Sequence, residues 1–341
     1  MNLLIITQKV DKNDGVLGFM HGWITEFAKH CSSIIVICLQ EEKHYLPKNV
    51  KVLSLGKEEK QSRLQYLLRF YQYIFQERDN YDHVFVHMNP VYVVLGGLFW
   101  KLLRKKIGFW YTHSSVNIKL KIAAFVTNII FTASKQSFRL PSEKVKVVGH
   151  GIDTDAFLPQ ENGLQGKIIL SVGRISSTKR QCETVKIFEK VSNEIPNAEL
   201  HIVGYPVTNS DKIYYSELHM CVQKSRISAK IKFIGAVPHF QMPQIYHTAS
   251  VLINLSKTGS LDKDVLEAMA CGVLPVSTNE AFKDILPEMN VAKDAADAEK
   301  KLNGILNINE KEKIDHGKVF RTYVEENHKL KVLAKKIIKN L

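Results

Sequence analysis

Two stretches of this sequence place cations, small residues and a carboxylate where apolar runs give way to helical patterns. In Ile168-Ile-Leu-Ser-Val-Gly-Arg-Ile-Ser-Ser-Thr-Lys-Arg180 a buried strand pattern leads into Gly173, then Arg174, a Ser/Thr-rich loop, and Lys179 at a helix start. Glycine lets the backbone approach a ligand closely. An arginine fork and a lysine point charge suit phosphate oxygens, and a helix N-terminus adds oriented amides. Alone, the segment also fits a strand end closed by a surface arginine. The second stretch, residues 251–276, runs from an apolar strand through a Gly/Ser/Thr turn to a short helix starting near Asp262, and Cys271-Gly272 closes that helix. Glu267, about one turn into it, can accept two hydrogen bonds from a ribose diol. It also fits a solvated glutamate favoured by the helix dipole.

Other candidates lie in the first half. Asp14-Gly-Val-Leu-Gly-Phe-Met-His-Gly22 follows the first strand pattern with Gly15 and Gly18, but its spacing is not that of a nicotinamide-binding loop. His113, in Trp110-Tyr-Thr-His-Ser-Ser115, and His87, in His87-Met-Asn-Pro90, both fall at strand ends. A lone histidine there is often a satisfied structural group. Two Asp-x-Asp triplets, Asp153-Thr-Asp155 and Asp262-Lys-Asp264, read as turn chemistry and helix capping rather than as metal ligands.

The elements that must position these residues alternate. Strands are expected at Leu3–Thr7, Ser33–Leu39, Val50–Leu55, His83–His87, Ile107–Thr112, Ile129–Ala133 and Val145–Val148, mostly as continuous apolar runs of the kind buried in a parallel sheet. Helices fit between many of them, among them Arg63–Gln76. A segment rich in turn residues, Gly149 to Gly166, is the best domain boundary. The alternation then restarts with strands Lys167–Val172, Glu199–Val203, Ile231–Ile234, Val251–Leu255 and Leu274–Ser277, and with helices from about Arg180 to Glu194 and from Lys263 to Ala270. From Asn309 on, the pattern is helical throughout. The fold class is therefore α/β, two doubly wound Rossmann-like domains whose sheets face each other across a cleft. The expected domains are 1–157, 158–325 and a basic helix 326–341.

Composition bounds the function classes. A chain of 341 residues, 45% apolar and 24% charged, has room for two domains of about 150 residues and does not read as disordered. Five scattered cysteines without a Cys-x-x-Cys pair argue against a disulfide framework or a cysteine zinc site and fit a reducing cytoplasm. The short apolar N-terminus reads as a strand rather than a signal peptide. The longest apolar stretch, Val91 to Trp100, falls short of the ~20 residues needed to cross a bilayer. A net charge of +13 calls for an anionic partner or a generally lysine-rich surface. Aromatic and basic residues interleave from Arg63 to Arg78, and Lys101–Lys106 is a basic run. The Arg63–Arg78 pattern fits a core-packed helix first and an interfacial helix second. Peripheral attachment of the first domain to anionic membrane follows from the second reading together with the Lys101–Lys106 run. No nucleic-acid module is recognised, so no nucleic-acid partner is expected.

Several of these segments resemble group 1 glycosyltransferases, glycosyltransferase family 4. They are Val172-Gly-Arg174 with Lys179, Phe233-Ile-Gly-Ala-Val237, Leu266-Glu-Ala-Met-Ala-Cys-Gly-Val-Leu-Pro275, and the hinge Gly151-Ile-Asp-Thr-Asp-Ala-Phe157. The resemblance implies a GT-B fold and a nucleotide-sugar donor held mainly by the second domain, with metal-independent, retaining transfer. It gives Arg174 and Lys179 the leaving diphosphate and Glu267 the ribose, and puts Val237 near the base. Gly15 and Gly18 would lie over the donor phosphate and acceptor, and His113 near the donor sugar. The family's two spaced glutamates are not both present. Gly259 stands where the first is expected, in Gly259-Ser-Leu-Asp262. Ser260, Leu261 and Asp262 then line the donor sugar, with Asp262 the candidate substitute carboxylate.

The resemblance implies no cofactor and no metal. It implies a UDP- or GDP-linked donor, a glycan or lipid-linked acceptor, and a cytoplasmic enzyme resting on the inner face of the cytoplasmic membrane. Cations and helix amides aimed at the leaving phosphate are the main catalytic lever. An epimerase of the same fold and a non-catalytic nucleotide-sugar or nucleic-acid binding protein remain alternatives at this point.

Overall fold

A computed structural model describes residues 1–160 and 166–341. Residues 161–165 of the turn-rich boundary segment lie outside the described residues. The chain forms two units, one of residues 1–151 with 329–341, the other of residues 152–328. The crossings thus fall at Gly151/Ile152 and His328/Lys329, where turn residues and charge patterning suggest 157 and 325. Ile152 and Phe157 are buried in the second unit's core, which is why the division precedes them.

In the first unit the order is β1 (Asn2–Val10), α1 (Phe19–Ala28), β2 (Ser33–Glu41), β3 (Val50–Ser54) and α2 (Arg63–Gln76). Then come β4 (His83–His87), α3 (Pro90–Leu102), β5 (Lys106–Trp110), α4 (Ile118–Val126), β6 (Ile129–Thr132) and β7 (Val145–Val147). All strands pair in parallel in the order β3-β2-β1-β4-β5-β6-β7. Both faces are covered, which is why β1, β2 and β4 read as unbroken apolar runs.

Local signals set the helix starts. Ser62 and Gln65 form a reciprocal capping box on α2. Asn89 caps α3 ahead of Pro90, and Asn117 caps α4. Helix α2 is less buried than a core helix. Phe70 and Ile74 are its buried residues, while Leu64, Leu68, Tyr71 and Phe75 are exposed. The core-packed reading of this helix holds for Phe70 and Ile74, while its apolar stripe is wider than the face it rests on the sheet.

The second unit runs β8 (Ile168–Val172), α5 (Gln181–Glu194), β9 (Glu199–Val203), α6 (Asn209–Lys224), β10 (Ile231–Gly235) and α7 (Met242–His247). It continues with β11 (Val251–Asn254), α8 (Lys263–Ala270), β12 (Leu274–Ser277), α9 (Ala295–Asn307) and α10 (Glu310–His328). Its parallel sheet is ordered β10-β9-β8-β11-β12. A final helix, α11 (Leu330–Asn340), belongs to the first unit. There Leu330, Leu333, Ala334 and Ile337 join the core around α1. The tail is thus two helices broken at Lys329, whose extended backbone turns the chain.

Gly151, at the first crossing, has φ +70°, and a Cβ there would lie 2.7 Å from the indole of Trp23. The Trp23 Nε1–H donates to the Gly151 carbonyl at 3.1 Å. Only glycine allows both the dihedral and the close ring.

Candidate functional site

Every sheet end that can carry chemistry in the second unit is marked by a small or amide residue. Strands β8, β9 and β10 run into Gly173, Gly204 and Gly235, all with positive φ. The Gly173 N–H donates to Val203 and the Gly204 N–H to Gly235. A Cβ on Gly204 would overlap the Gly173 carbonyl oxygen, so the two turns close on each other only as glycines. This leaves a bare backbone shelf at the carboxyl edge, where ligands of open parallel sheets bind.

Beside the shelf lies Lys179. It ends a short 3-10 turn, Ser177–Lys179, and α5 begins two residues later. Its ammonium sits 3.0 Å from Asp262 Oδ1 and 2.9 Å from Asp264 Oδ2, on side chains with little exposure. Burial opposes its charge, but the two carboxylates outweigh that and hold its pKa above the ordinary lysine value. The Asp264 pKa is raised as well, which in a carboxyl group favours the neutral form. Burial raises it to about 6 against the pull of Lys179, helped by the neighbouring charge of Asp262.

The second oxygen of Asp262 accepts from Asn254 Nδ2 at 3.2 Å and Asn279 Nδ2 at 2.9 Å. Asn279 also donates to the Ser260 carbonyl at 2.8 Å and so fixes the turn that precedes α8. The Gly259 turn needs φ +65°, a value glycine tolerates. Asp262 occupies the N-cap position of α8, yet its side chain makes no capping bond. The capping reading of Asp262-Lys-Asp264 is therefore corrected: the Lys179 ammonium holds both carboxylates more strongly than a helix amide does. Among the described residues no group of three or more His, Cys, Asp or Glu side chains is arranged to hold a metal ion.

Glu267 is not a solvated helix residue. It is buried, with Oε1 2.8 Å from His239 Nε2, and its Oε2 accepts from the Tyr246 hydroxyl at 3.1 Å. Burial and the Glu267 charge together push the Tyr246 phenol far above its usual pKa. Lys263, at the first position of α8, is lowered by burial to about 7, with Glu267 pulling it back up.

Arg174 is the exposed member of the set. Its side chain is 45% exposed and its Nε lies 3.7 Å from Asp211. The Arg174 carbonyl accepts from Gln181 Nε2. Val237 is half-buried against the second core, just past the Gly235 turn. Gly173, Lys179, Gly259, Ser260, Leu261 and Asp262 thus fall on adjoining turns of one sheet edge, with Glu267 about one turn into α8. Arg174 stands at the rim.

Gly15, Gly18 and His113 belong to the first unit. The loop after β1 is organised by Asp14, which pairs with Lys9 at 2.8 Å and accepts from the Val16 and Leu17 amides. Neither glycine there has positive φ, and Gly18 precedes α1 at φ −57°. His113 is exposed in the loop after β5, its Nδ1 accepting from the Ser115 N–H at 3.0 Å. His87 is buried with its ring edge-on to Phe19 and Trp23, a structural setting. Sequence reading missed Gly204, Asn254, Asn279, His239 and Tyr246. The signal for the first three was available, since each directly follows or ends an apolar strand run or the turn after it.

Similarity to known proteins bears on this geometry. Residues 155–314 match the model "Glycosyl transferases group 1". Mannosylfructose-phosphate synthase of Agrobacterium fabrum is 24% identical over 155 residues, 42% of this chain and 34% of that protein. A phosphatidylinositol N-acetylglucosaminyltransferase subunit of Arabidopsis thaliana is 26% identical over 152 residues, 44% and 33% respectively. The match thus spans about a third of these relatives' length. Among solved structures, HepE of Anabaena in complex with UDP-glucose superposes with TM-score 0.79 at 13% identity, covering 99% of both chains. Sucrose-phosphate synthase of Thermosynechococcus elongatus gives 0.79 at 14%, covering 99% of this chain and 98% of that one. The chain has the GT-B fold of two parallel-sheet Rossmann-like domains, and residues 155–314 are similar in sequence to the group 1 glycosyl transferases.

Proposed function

We propose that this protein is a glycosyltransferase that moves a sugar from a nucleotide diphosphate donor to a glycan or lipid-linked acceptor, with retention and without a metal, in envelope polysaccharide or glycolipid assembly. The reading rests on one arrangement: inside the matched segment, Lys179 is held by two carboxylates beside a glycine shelf and the start of α8. The donor's diphosphate takes the ammonium, aided by Arg174. Charge leaving with the phosphate is met by cations and amides already in place, which is the most effective form of transition-state stabilisation.

Asp262 takes the part of the carboxylate absent at Gly259 and receives a donor sugar hydroxyl. Glu267, aligned by His239 and Tyr246, faces the ribose, and the turn at Val237 meets the base. Gly15 and Gly18 cover the donor phosphate and acceptor, and His113 serves the reacting sugar. HepE, crystallised with UDP and with UDP-glucose, supports a uridine donor, with guanosine the other candidate. A lipid-linked acceptor puts the enzyme's work at the inner face of the cytoplasmic membrane.

Incubation with a panel of UDP- and GDP-sugars in chelator tests this. Release of nucleoside diphosphate that depends on added glycan or lipid acceptor, with an unchanged anomeric configuration in the product, is expected. A free epimerised sugar nucleotide, or no turnover with any donor, overturns it.

A further inference from the structure

We infer that the outer face of α2, α3 and α4 is a docking surface for a bilayer rich in anionic phospholipid. The three helices lie side by side over one face of the first unit's sheet. Phe70 of α2 packs on Tyr92 and Trp100 of α3, and Val126 of α4 packs against Gly97 of α3. Their inward residues fill a core with β1, β2, β4, β5 and β6.

What they leave outside is apolar at helical spacing: Leu64, Leu68 and Phe75 on α2, Leu98 and Leu102 on α3, Phe125 on α4. Leu98, Leu102 and Phe125 are 70%, 75% and 78% exposed. So many large exposed apolar side chains on three neighbouring helices mark an interaction site. No helix of the described residues is long and apolar enough to cross a membrane, so the attachment is peripheral.

Charge decides the occupant. None of the three helices contains an aspartate or glutamate. From Pro90 to Ser142 the chain has eight lysines and arginines and no carboxylate. Acid flanks α2 at both ends, where it is already paired: Glu59 with Arg69 of α2, Glu77 with Lys51 and Asp79 with Arg78.

Cations also lie along the exposed rings, with Lys101 5.5 Å from the Phe125 centroid and Arg78 4.6 Å from that of Phe75. Such side chains lay apolar stems on the ring while the charge reaches the headgroups. A second copy of this face is repelled by like charge. A nucleic acid leaves the leucines in water. An anionic lipid surface satisfies both chemistries.

The inference deepens the membrane placement in the proposed function but is read without donor or acceptor, so each can fail alone. The test is co-sedimentation of the full chain with vesicles of phosphatidylcholine alone or with one-third phosphatidylglycerol, at low and high salt. Binding to the anionic vesicles only, weakened by salt, is expected. Lys101→Gln, Lys119→Gln and Lys121→Gln together lower the partition coefficient about 100-fold, at the attraction usual for a basic residue near an anionic surface. Leu98→Ser, Leu102→Ser and Phe125→Ser together lower it at least about tenfold. These side chains are exposed, so unchanged circular dichroism and Tm check that the variants fold.

Three results overturn the inference. One is no binding to anionic vesicles at low salt. Another is full binding by the serine variant, which means charge attraction alone. The last is a wild-type dimer, seen by sedimentation velocity, that the serine variant dissociates; the face then belongs to a protein interface.

Discussion

Lys179 and Asp264 meet across 85 residues of sequence, Nζ to Oδ2 at 2.9 Å, and this pair joins the end of β8 to the start of α8. Lys179 also reaches Asp262, so one ammonium neutralises two carboxylates in a poorly solvated place. Removing one partner of such a pair strands the other charge, which costs roughly 3–5 kcal/mol. Lys179→Ala should therefore lower stability by about that much and abolish nucleoside diphosphate binding. Asp262→Asn with Asp264→Asn in the same background should recover most of the stability and none of the binding. Denaturant unfolding with calorimetric titration of UDP checks both, and a Lys179→Ala protein of wild-type stability would show that the ammonium is not what holds the carboxylates.

Glu267 has a related double commitment. Its oxygens serve His239 and Tyr246, so Glu267→Ala takes an acceptor from the half-buried His239 ring and from the buried Tyr246 hydroxyl. Each such loss costs about 1–3 kcal/mol. Glu267→Gln preserves the size and one acceptor oxygen, and should cost less stability while still weakening donor binding. Equal donor affinity in wild type and Glu267→Gln would confine Glu267 to an internal role.

How much of this was legible in the sequence differs between elements and side-chain partners. The bounds of β4, β9, β12, α2 and α8 follow from residue patterns, because continuous apolar runs and capping residues act locally. Gly173, Lys179 and Glu267 stood out because their types sit at strand ends or on a helix. That Lys179 would be claimed by Asp262 and Asp264 was not legible, since the partners are more than 80 residues away and only the β8–β11 pairing brings them together. The exposed face of α2–α4 was legible only as the interfacial alternative for Arg63–Arg78. Periodicity shows that a helix has an apolar stripe but not how wide a stripe the sheet beneath it covers.

Lys263 gives a pH-dependent prediction. Its folded pKa is lowered to about 7, first by burial, from 10.5. Between those values the unfolded chain binds more protons than the folded one at this site, so its contribution to stability rises with pH. Below pH 7 the lysine is charged in both states and its full burial cost is paid. Lys263→Met should therefore stabilise the protein more at pH 6.5 than at pH 9.5, by roughly 1.4 kcal/mol per unit at most. Urea unfolding of both proteins at the two pH values measures this, and a mutational effect independent of pH would contradict it.

His113 is exposed, and its Nδ1 accepts from the Ser115 N–H two residues on, a local contact within one loop. Its removal should change stability by no more than about 0.5 kcal/mol. If it serves the reacting sugar, His113→Ala lowers kcat while the donor Kd stays within about twofold, a split read from turnover and titration. Unaltered kcat would make it a loop residue.

Arg174 completes the contrast with Lys179. Both are cations of one loop, but Arg174 is 45% exposed and 3.7 Å from Asp211, whereas Lys179 is enclosed. An exposed pair contributes ~0–1 kcal/mol, so Arg174→Ala should leave the unliganded Tm nearly unchanged. A nucleoside diphosphate at about 100 times its Kd stabilises the folded protein by about 2.7 kcal/mol. For a domain of this size that is a Tm rise of roughly 5–10 °C. Arg174→Ala should remove most of that rise, since the guanidinium is free to swing from a distant carboxylate onto phosphate oxygens that its planar fork fits. Chelator should leave the rise intact. If the rise survives Arg174→Ala but vanishes in chelator and returns with magnesium, a metal ion, not the arginine, holds the diphosphate.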